Sequence, residues 1–179
     1  AVSPVVNGID IIAGDFRASN GLVHVIGAVL PVPDARPTIT EAAVALAGRG
    51  QFTDLTAAVV KTGLADFLND PHATLTVFAP TDEAFLRLGL TATSISALTD
   101  PEQIEGLRKV LLDHVVTREL QAAELALFRF AVAAGRLPLV IGRGVSTVNG
   151  IPILAGDAVD AENGVIHVID GVLLPRRSR

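Results

Sequence analysis

The 179-residue chain has no cysteine, methionine, tryptophan or tyrosine, which leaves seven phenylalanines as its aromatic side chains. Each absence closes a class of chemistry. Without cysteine there is no disulfide, no thiolate zinc site and no thiol nucleophile; a secreted and a cytosolic protein can both be built this way. So few rings make base-stacking platforms a poor fit. Basic charge is also scarce: 14 Lys and Arg stand against 19 Asp and Glu, for a net charge of −5. No basic stripe precedes the terminal Arg176-Arg177-Ser178-Arg179, so no nucleic acid is expected as a partner. Uninterrupted apolar runs of about 18 residues are missing, so no membrane span is expected. There is no Gly-x-Ser-x-Gly elbow, no Gly-x-x-x-x-Gly-Lys loop, no His-x-x-x-His pair and no Arg-Gly-Asp, and with them go the usual signatures of esterases, phosphate loops and helix-borne zinc. No metal and no cofactor are expected. The chain opens Ala1-Val2-Ser3, which reads as a processed or excised protein with any signal peptide upstream.

What is present argues for a packed core. Half of the residues are apolar, 18% are charged and the mean hydropathy is +0.51, far from a disordered composition. The length suits one domain, or one domain and a fragment.

The chain repeats itself. Val6-Asn7-Gly8-Ile9, Ala13-Gly14-Asp15, Asn20-Gly21-Leu22-Val23-His24-Val25-Ile26 and Val29-Leu30 return as Val148-Asn149-Gly150-Ile151, Ala155-Gly156-Asp157, Asn163-Gly164-Val165-Ile166-His167-Val168-Ile169 and Val172-Leu173, with one extra residue before Asn163. In each copy two Asn-Gly turns separate short apolar strands. A lone hairpin of this size is marginal in water. Residues 1–33 are therefore expected to be the C-terminal fragment of a preceding domain. Residues 34–37, the end of a stretch containing Pro31, Pro33 and Pro37, form a stiff linker. Residues 38–175 are the complete domain and 176–179 a basic tail.

Within 38–175, Thr38 and Glu41 fit a capping box, while Thr40 as cap would let Ile39 staple to Val44. Gly48 and Gly50 close that helix. Thr53 is expected to cap a second helix ending at Gly63, and Leu64–Leu68 makes a further turn. Thr74–Ala79 reads as a strand. Thr81-Asp82-Glu83 starts a helix with a hydroxyl cap and two acids at the positive end of its dipole. Asp100-Pro101 starts another, with Ile104, Leu107, Leu111 and His114 on one stripe. From Phe128 onward, short apolar segments broken by Gly and Asn-Gly predict antiparallel strands. Helices first and strands later make the class α+β.

Two long blocks resemble a known family. Thr76-Val77-Phe78-Ala79-Pro80-Thr81-Asp82-Glu83-Ala84-Phe85 and Asn163-Gly164-Val165-Ile166-His167-Val168-Ile169-Asp170-Gly171-Val172-Leu173-Leu174-Pro175 are similar to the hallmarks of the fasciclin domain. Between them the family's Tyr-His pair stands here as Asp113-His114, with the histidine kept. In the first copy Gly27 replaces Asp170. The resemblance implies a β-wedge with helices packed around it, in a tandem protein, secreted or at the cell surface, that acts in adhesion. The alanine-rich, cysteine-free composition points to a bacterial source. The resemblance also implies a non-catalytic interaction module whose partner is a cell-surface or matrix protein or a polysaccharide.

The candidate residues divide accordingly. His114, Val115 and Val116 are the candidate partner contact, through the family's usage of that neighbourhood. Thr81, Asp82, Asn163, Gly164, His167 and Asp170 are structural motif residues. His167, in an apolar strand, is expected to be a core histidine bonded to backbone or a carboxylate; His24 reads the same way, and His72 sits in a solvated turn. The alternatives are a small-molecule or carbohydrate-binding domain, which needs a pocket with convergent polar groups, and an enzyme using His114 or His167. Residues 5–30 carry apolar strands with unpaired edges. They are expected to dock on the complete domain or to pair with another molecule, as in a homodimer.

Overall fold

The structure is a computed structural model and describes residues 5–6, 9–28, 36–125, 127–142 and 147–175. The Pro31–Pro33 segment, Asp34, Ala35, the Asn7-Gly8 and Val29-Leu30 repeat blocks, Arg143-Gly144 and the 176–179 tail lie outside the described residues. The chain divides into two units, 1–35 and 36–179. The first holds β1 (Val5–Val6), β2 (Ile9–Ala18) and β3 (Gly21–Ile26), an antiparallel sheet in that order. The second runs α1 (Ile39–Ala47), α2 (Thr53–Lys61), α3 (Ala65–Leu68), β4 (Leu75–Pro80), α4 (Asp82–Leu86), α5 (Ala92–Ser96), α6 (Pro101–Leu112), β5 (Val115–Val116), α7 (Ala122–Leu125), β6 (Phe130–Val132), β7 (Pro138–Val140), β8 (Thr147–Val148), β9 (Ile151–Ala161) and β10 (Gly164–Ile169).

The second unit is α+β. Its sheet has the order β5-β4-β10-β9-β8, and β6–β7 form a separate hairpin. All pairs are antiparallel except β4 with β10, which run parallel from Gly164 opposite Leu75 to Ile169 opposite Pro80. The whole of β4 is buried, and so is β10 apart from the half-buried Val168. Period-two alternation sends Leu75, Val77 and Ala79 of β4 into one core with α1, α2 and α6, and Phe78 into a second core with Leu139, Val148 and Ile169. Burial on both sides explains why, apart from Thr76 and His167, these strands are apolar without alternation.

The helix starts follow their caps, with two differences from the sequence expectation. Thr38, not Thr40, caps α1, in a complete capping box with Glu41, and Val44 is exposed rather than stapled to Ile39. Thr53 is the first residue of α2 instead of its cap; the cap position belongs to Phe52, in the left-handed region at φ 56°, whose side chain has no hydrogen-bonding atom to offer. Thr81 and Asp100 cap α4 and α6 as their types require. The helices α5 and α7 were not anticipated. α5 carries a capping box of Thr91 with Ser94, a weaker pattern than one ending in Glu or Gln.

The repeat is structural as well as textual. The pairings Val5–Asp10 and Val6–Ile9 of β1–β2 match Thr147–Pro152 and Val148–Ile151 of β8–β9. Both long hairpins carry a bulge at the same place: Ala13 pairs with Val25 and Phe16 with Val23, as Ala155 pairs with Val168 and Val159 with Ile166. The extra residue of the later copy falls inside that bulge.

Gly164 has φ 144°, and a Cβ there would lie 1.9 Å from the Leu75 carbonyl oxygen. Gly164→Ala is expected to cost at least about 3 kcal/mol, because the clash is with backbone at the centre of the sheet. Gly106 lies exposed within α6 with open space where a Cβ would go. Gly106→Ala should instead stabilise by about 0.5–1 kcal/mol. Denaturant midpoints of the two variants should move in opposite directions.

Candidate functional site

The motif residues gather at the two ends of the β4–β10 pair. At one end stands Asn163, buried just before β10. Its Oδ1 accepts the Ile39 N–H at 2.9 Å, and its Nδ2 donates to the Leu68 and Asp70 carbonyls at 2.9 and 3.0 Å. One amide thus ties the start of α1 and the end of α3 to the sheet. These are helix ends whose orphan N–H and C=O groups would otherwise be buried without partners.

At the other end stand Thr81 and Asp82. The Thr81 hydroxyl accepts the Ala84 N–H and caps its own helix. Asp82, the first residue of α4, does something the sequence reading did not anticipate. Its Oδ2 accepts both the N–H and the hydroxyl of Thr53, at 3.2 and 3.1 Å, and its Oδ1 accepts the Asp54 N–H at 3.0 Å. Asp82 therefore supplies from a distant helix the capping oxygens that Phe52 lacks. Asp54 passes the function on, since its Oδ1 accepts the Ala92 N–H at the start of α5. Burial, together with the charge of Asp82, raises the Asp54 pKa against the lowering effect of that N–H. Nothing in the local sequence around Asp54 signals this role.

Both central histidines are inside. His167 is fully buried; its Nε2 donates to the Leu120 carbonyl at 2.7 Å and its Nδ1 accepts the Asp157 N–H at 3.0 Å. The Asp157 carboxylate accepts the Ala122 N–H at 3.0 and 3.1 Å and so caps α7. The partners of His114 are reversed: Nδ1 donates to Val110 C=O at 2.7 Å and Nε2 accepts the Leu173 N–H at 2.8 Å. Each ring is thereby held as one neutral tautomer, and its two nitrogens are both engaged by backbone. Burial lowers both pKa values, that of His114 to about 4.

Val115 and Val116 form the buried edge strand β5, Val115 in the core under the helices and Val116 in the second core with Phe78. Asp113, in the place of the family's Tyr, is also buried; its Oδ1 accepts the Leu137 N–H at 3.2 Å, and burial raises its pKa. Asp170 is half-exposed and pairs with Arg87, which donates to both its carboxylate and its carbonyl. Exposed pairs of this kind contribute little to stability. His72 is exposed. Among the described residues no group of three or more His, Cys, Asp or Glu is placed to hold a metal ion, and no helix is long and apolar enough to cross a membrane.

Two hollows bear on the ligand-binding alternative. The apolar groove between α1 and α2, lined by Val44, Phe52, Val60 and Phe67, offers only about 50 Å³, against roughly 300 Å³ or more for ordinary ligand pockets. The roomier hollow beside Asp113, Asn149 and Leu174 measures about 960 Å³. There Asp113 is taken by Leu137, and Asn149 accepts the Val140 N–H and donates to the Pro138 carbonyl. Asp113 and Asn149 thus hold the β6–β7 hairpin in place instead of converging on the space, which Arg136 also lines.

Two measurements test these joints. Asp82→Ala is expected to lower stability by about 1–2 kcal/mol, the usual cost of a lost cap, and amide exchange should rise first at Thr53 and Asp54. The second concerns pH. An unfolded imidazole takes up a proton near 6.5 and the folded His114 only near 4. Between those values the unfolded state binds more protons, so stability declines as pH falls, by roughly 3 kcal/mol over the window. His167 adds in the same direction, while the raised Asp113 and Asp54 oppose it towards the carboxylate range. In His114→Gln the slope of unfolding free energy between pH 6.5 and 4 should flatten.

With this geometry in view, the likeness to other proteins is specific. The sequence pattern of the Fasciclin domain matches residues 50–175. Protein sll1483 of Synechocystis sp. is 40% identical over 143 residues, covering 79% of this chain and 76% of that protein. Transforming growth factor-beta-induced protein ig-h3 of Sus scrofa is 32% identical over 173 residues, which is 95% of this chain but only 24% of that protein. Among solved structures, the FAS1 domain pair from the insect cell adhesion molecule fasciclin I superposes with a TM-score of 0.64 at 22% identity, over 93% of this chain and 60% of the other. The matched span contains both hallmark blocks and the whole sheet they build, and the chain belongs to the fasciclin domain family.

Proposed function

We propose that this chain is a non-catalytic interaction module of a secreted or cell-surface protein, which binds a matrix or cell-surface protein through shape and apolar contact. The observation that carries this reading is the outer face of the β6–β7 hairpin. Alternation along its strands turns Leu139 inward and puts Phe130, Val132 and Val140 outside, with Phe130 opposite Val140 and Val132 opposite Pro138. Phe130 is 68% and Val132 64% exposed. An antiparallel pair with one face on the core ordinarily shows polar residues on the other, and a contiguous apolar face in water is the usual mark of a contact surface. Leu127, three residues before the hairpin, is 81% exposed as well.

This face, and not the buried His114-Val115-Val116 segment, is what a partner meets. The groups an enzyme would use are otherwise occupied: both nitrogens of His114 and of His167, and both carboxylate oxygens of Asp82, are committed to backbone of the same domain. The relatives point the same way, since the solved likeness is named as a cell adhesion molecule.

Beads coated with the chain should adhere to cells or to extracellular matrix. The double variant Phe130→Ser with Val132→Ser should reduce adhesion at least about fivefold, the loss expected for two residues at the centre of a contact. Its thermal midpoint should stay close to that of the wild type, because both side chains are exposed. No adhesion by the wild type, or undiminished adhesion by the variant, would refute the reading.

A further inference from the structure

The hairpin of residues 5–28 keeps side chains whose purpose is visible only in the other copy. In the second unit β10 lies between β9 and β4. In the first unit β3 is paired with β2, and among the described residues no strand lies on its other side. The residues equivalent to the buried Val165 and Ile166 are Leu22 and Val23, which are 57% and 54% exposed.

Gly21 is the most informative of them. Its counterpart Gly164 is glycine because β4 runs so close that a Cβ would strike the Leu75 backbone. Gly21 has no positive φ and nothing within 4 Å of where its Cβ would be. Neither its backbone nor its neighbours require glycine. A strand passing beside it, as β4 passes beside Gly164, would account for glycine there. Asn20 repeats Asn163, whose amide binds helix ends delivered next to that strand.

We propose that the open edge of β3 receives a parallel strand of the β4 type, apolar on both faces, belonging to a fasciclin domain that precedes Ala1 in the parent protein and of which residues 5–28 are the closing strands. This goes beyond the adhesion reading and does not depend on it. The register follows from the intact copy: the incoming strand starts opposite Gly21 and ends opposite Ile26. The place in sequence follows too. Thr76 precedes Asn163 by 87 residues. The same separation from Asn20 puts a second Thr-x-Phe-Ala-Pro-Thr block about 70 residues upstream of Ala1.

The test uses the 179-residue chain with a synthetic peptide of sequence Ala73–Phe85 added in excess, followed by backbone amide exchange. Protection is expected to grow along Gly21–Ile26, with the amides of Gly164–Ile169 unchanged. Gly21→Val should weaken peptide binding at least tenfold, because its side chain occupies the strand's path, while leaving the 36–175 unit folded. Peptide that protects nothing in 21–26, or that binds Gly21→Val as well as wild type, would overturn the proposal. So would a parent gene lacking the upstream block, or a chain that sediments as a dimer with 21–26 already protected, since that edge would then belong to a second copy.

Discussion

The parallel contact between β4 and β10 is the constraint on which the rest of the second unit depends. It brings together two sequence blocks almost ninety residues apart and puts a polar fastening at each end. Asn163 sits where β10 begins and β4 enters, and it fixes α1 and α3. Thr81 and Asp82 sit where β4 leaves, and they start α4 and cap α2. A parallel pair has no hairpin to set its register. Here the register is set by sterics at Gly164, which lets the Leu75 carbonyl approach, and by the helix ends that fit only when Asn163 reaches them.

The fastenings share an energetic character. Asn163, Asp82, Asp157 and both histidines each satisfy backbone groups at element ends, and His167 also stands 3.8 Å from the Asp157 carboxylate. Such contacts add modestly when made but are expensive to leave half-made, since the abandoned N–H or C=O stays buried. Polar groups of this kind specify one arrangement of helices on the sheet, where apolar packing alone would accept several. The neutral histidines follow the same logic: a proton on His114 would have to be placed against the Leu173 N–H, which already points at the nitrogen that would receive it.

Much of this was legible from the sequence, for reasons that can be named. Thr38 with Glu41, Thr81, and Asp100 with Pro101 announce helix starts through chemistry local to three or four residues. The β-branched content of 74–79 announces a strand, and the apolar run at 165–169 announces a doubly buried strand with His167 as a core histidine. What was not legible is non-local. Thr53 looked like a cap because hydroxyls usually are, yet the capping oxygens of α2 arrive from Asp82, twenty-nine residues later. Asp54 serves a helix thirty-eight residues away. Asp157 was visible only as part of a repeated Ala-Gly-Asp block, without its connection to α7. His114-Val115-Val116 was singled out through resemblance, whereas burial places it inside the domain. The apolar outer face of β6–β7 was missed because alternation along strands of three residues is too short to read.

The bulge shared by the two hairpins has one more consequence. A single added residue in an ordinary strand turns every later side chain to the opposite face. Here residues 14–15 in one hairpin and 156–158 in the other span the gap between flanking pairs, and the pairings on both sides of it stay equivalent. The kink works as an expansion joint: chain length can change there while the inward-facing set, and with it the strand edge offered to a neighbour, stays in place.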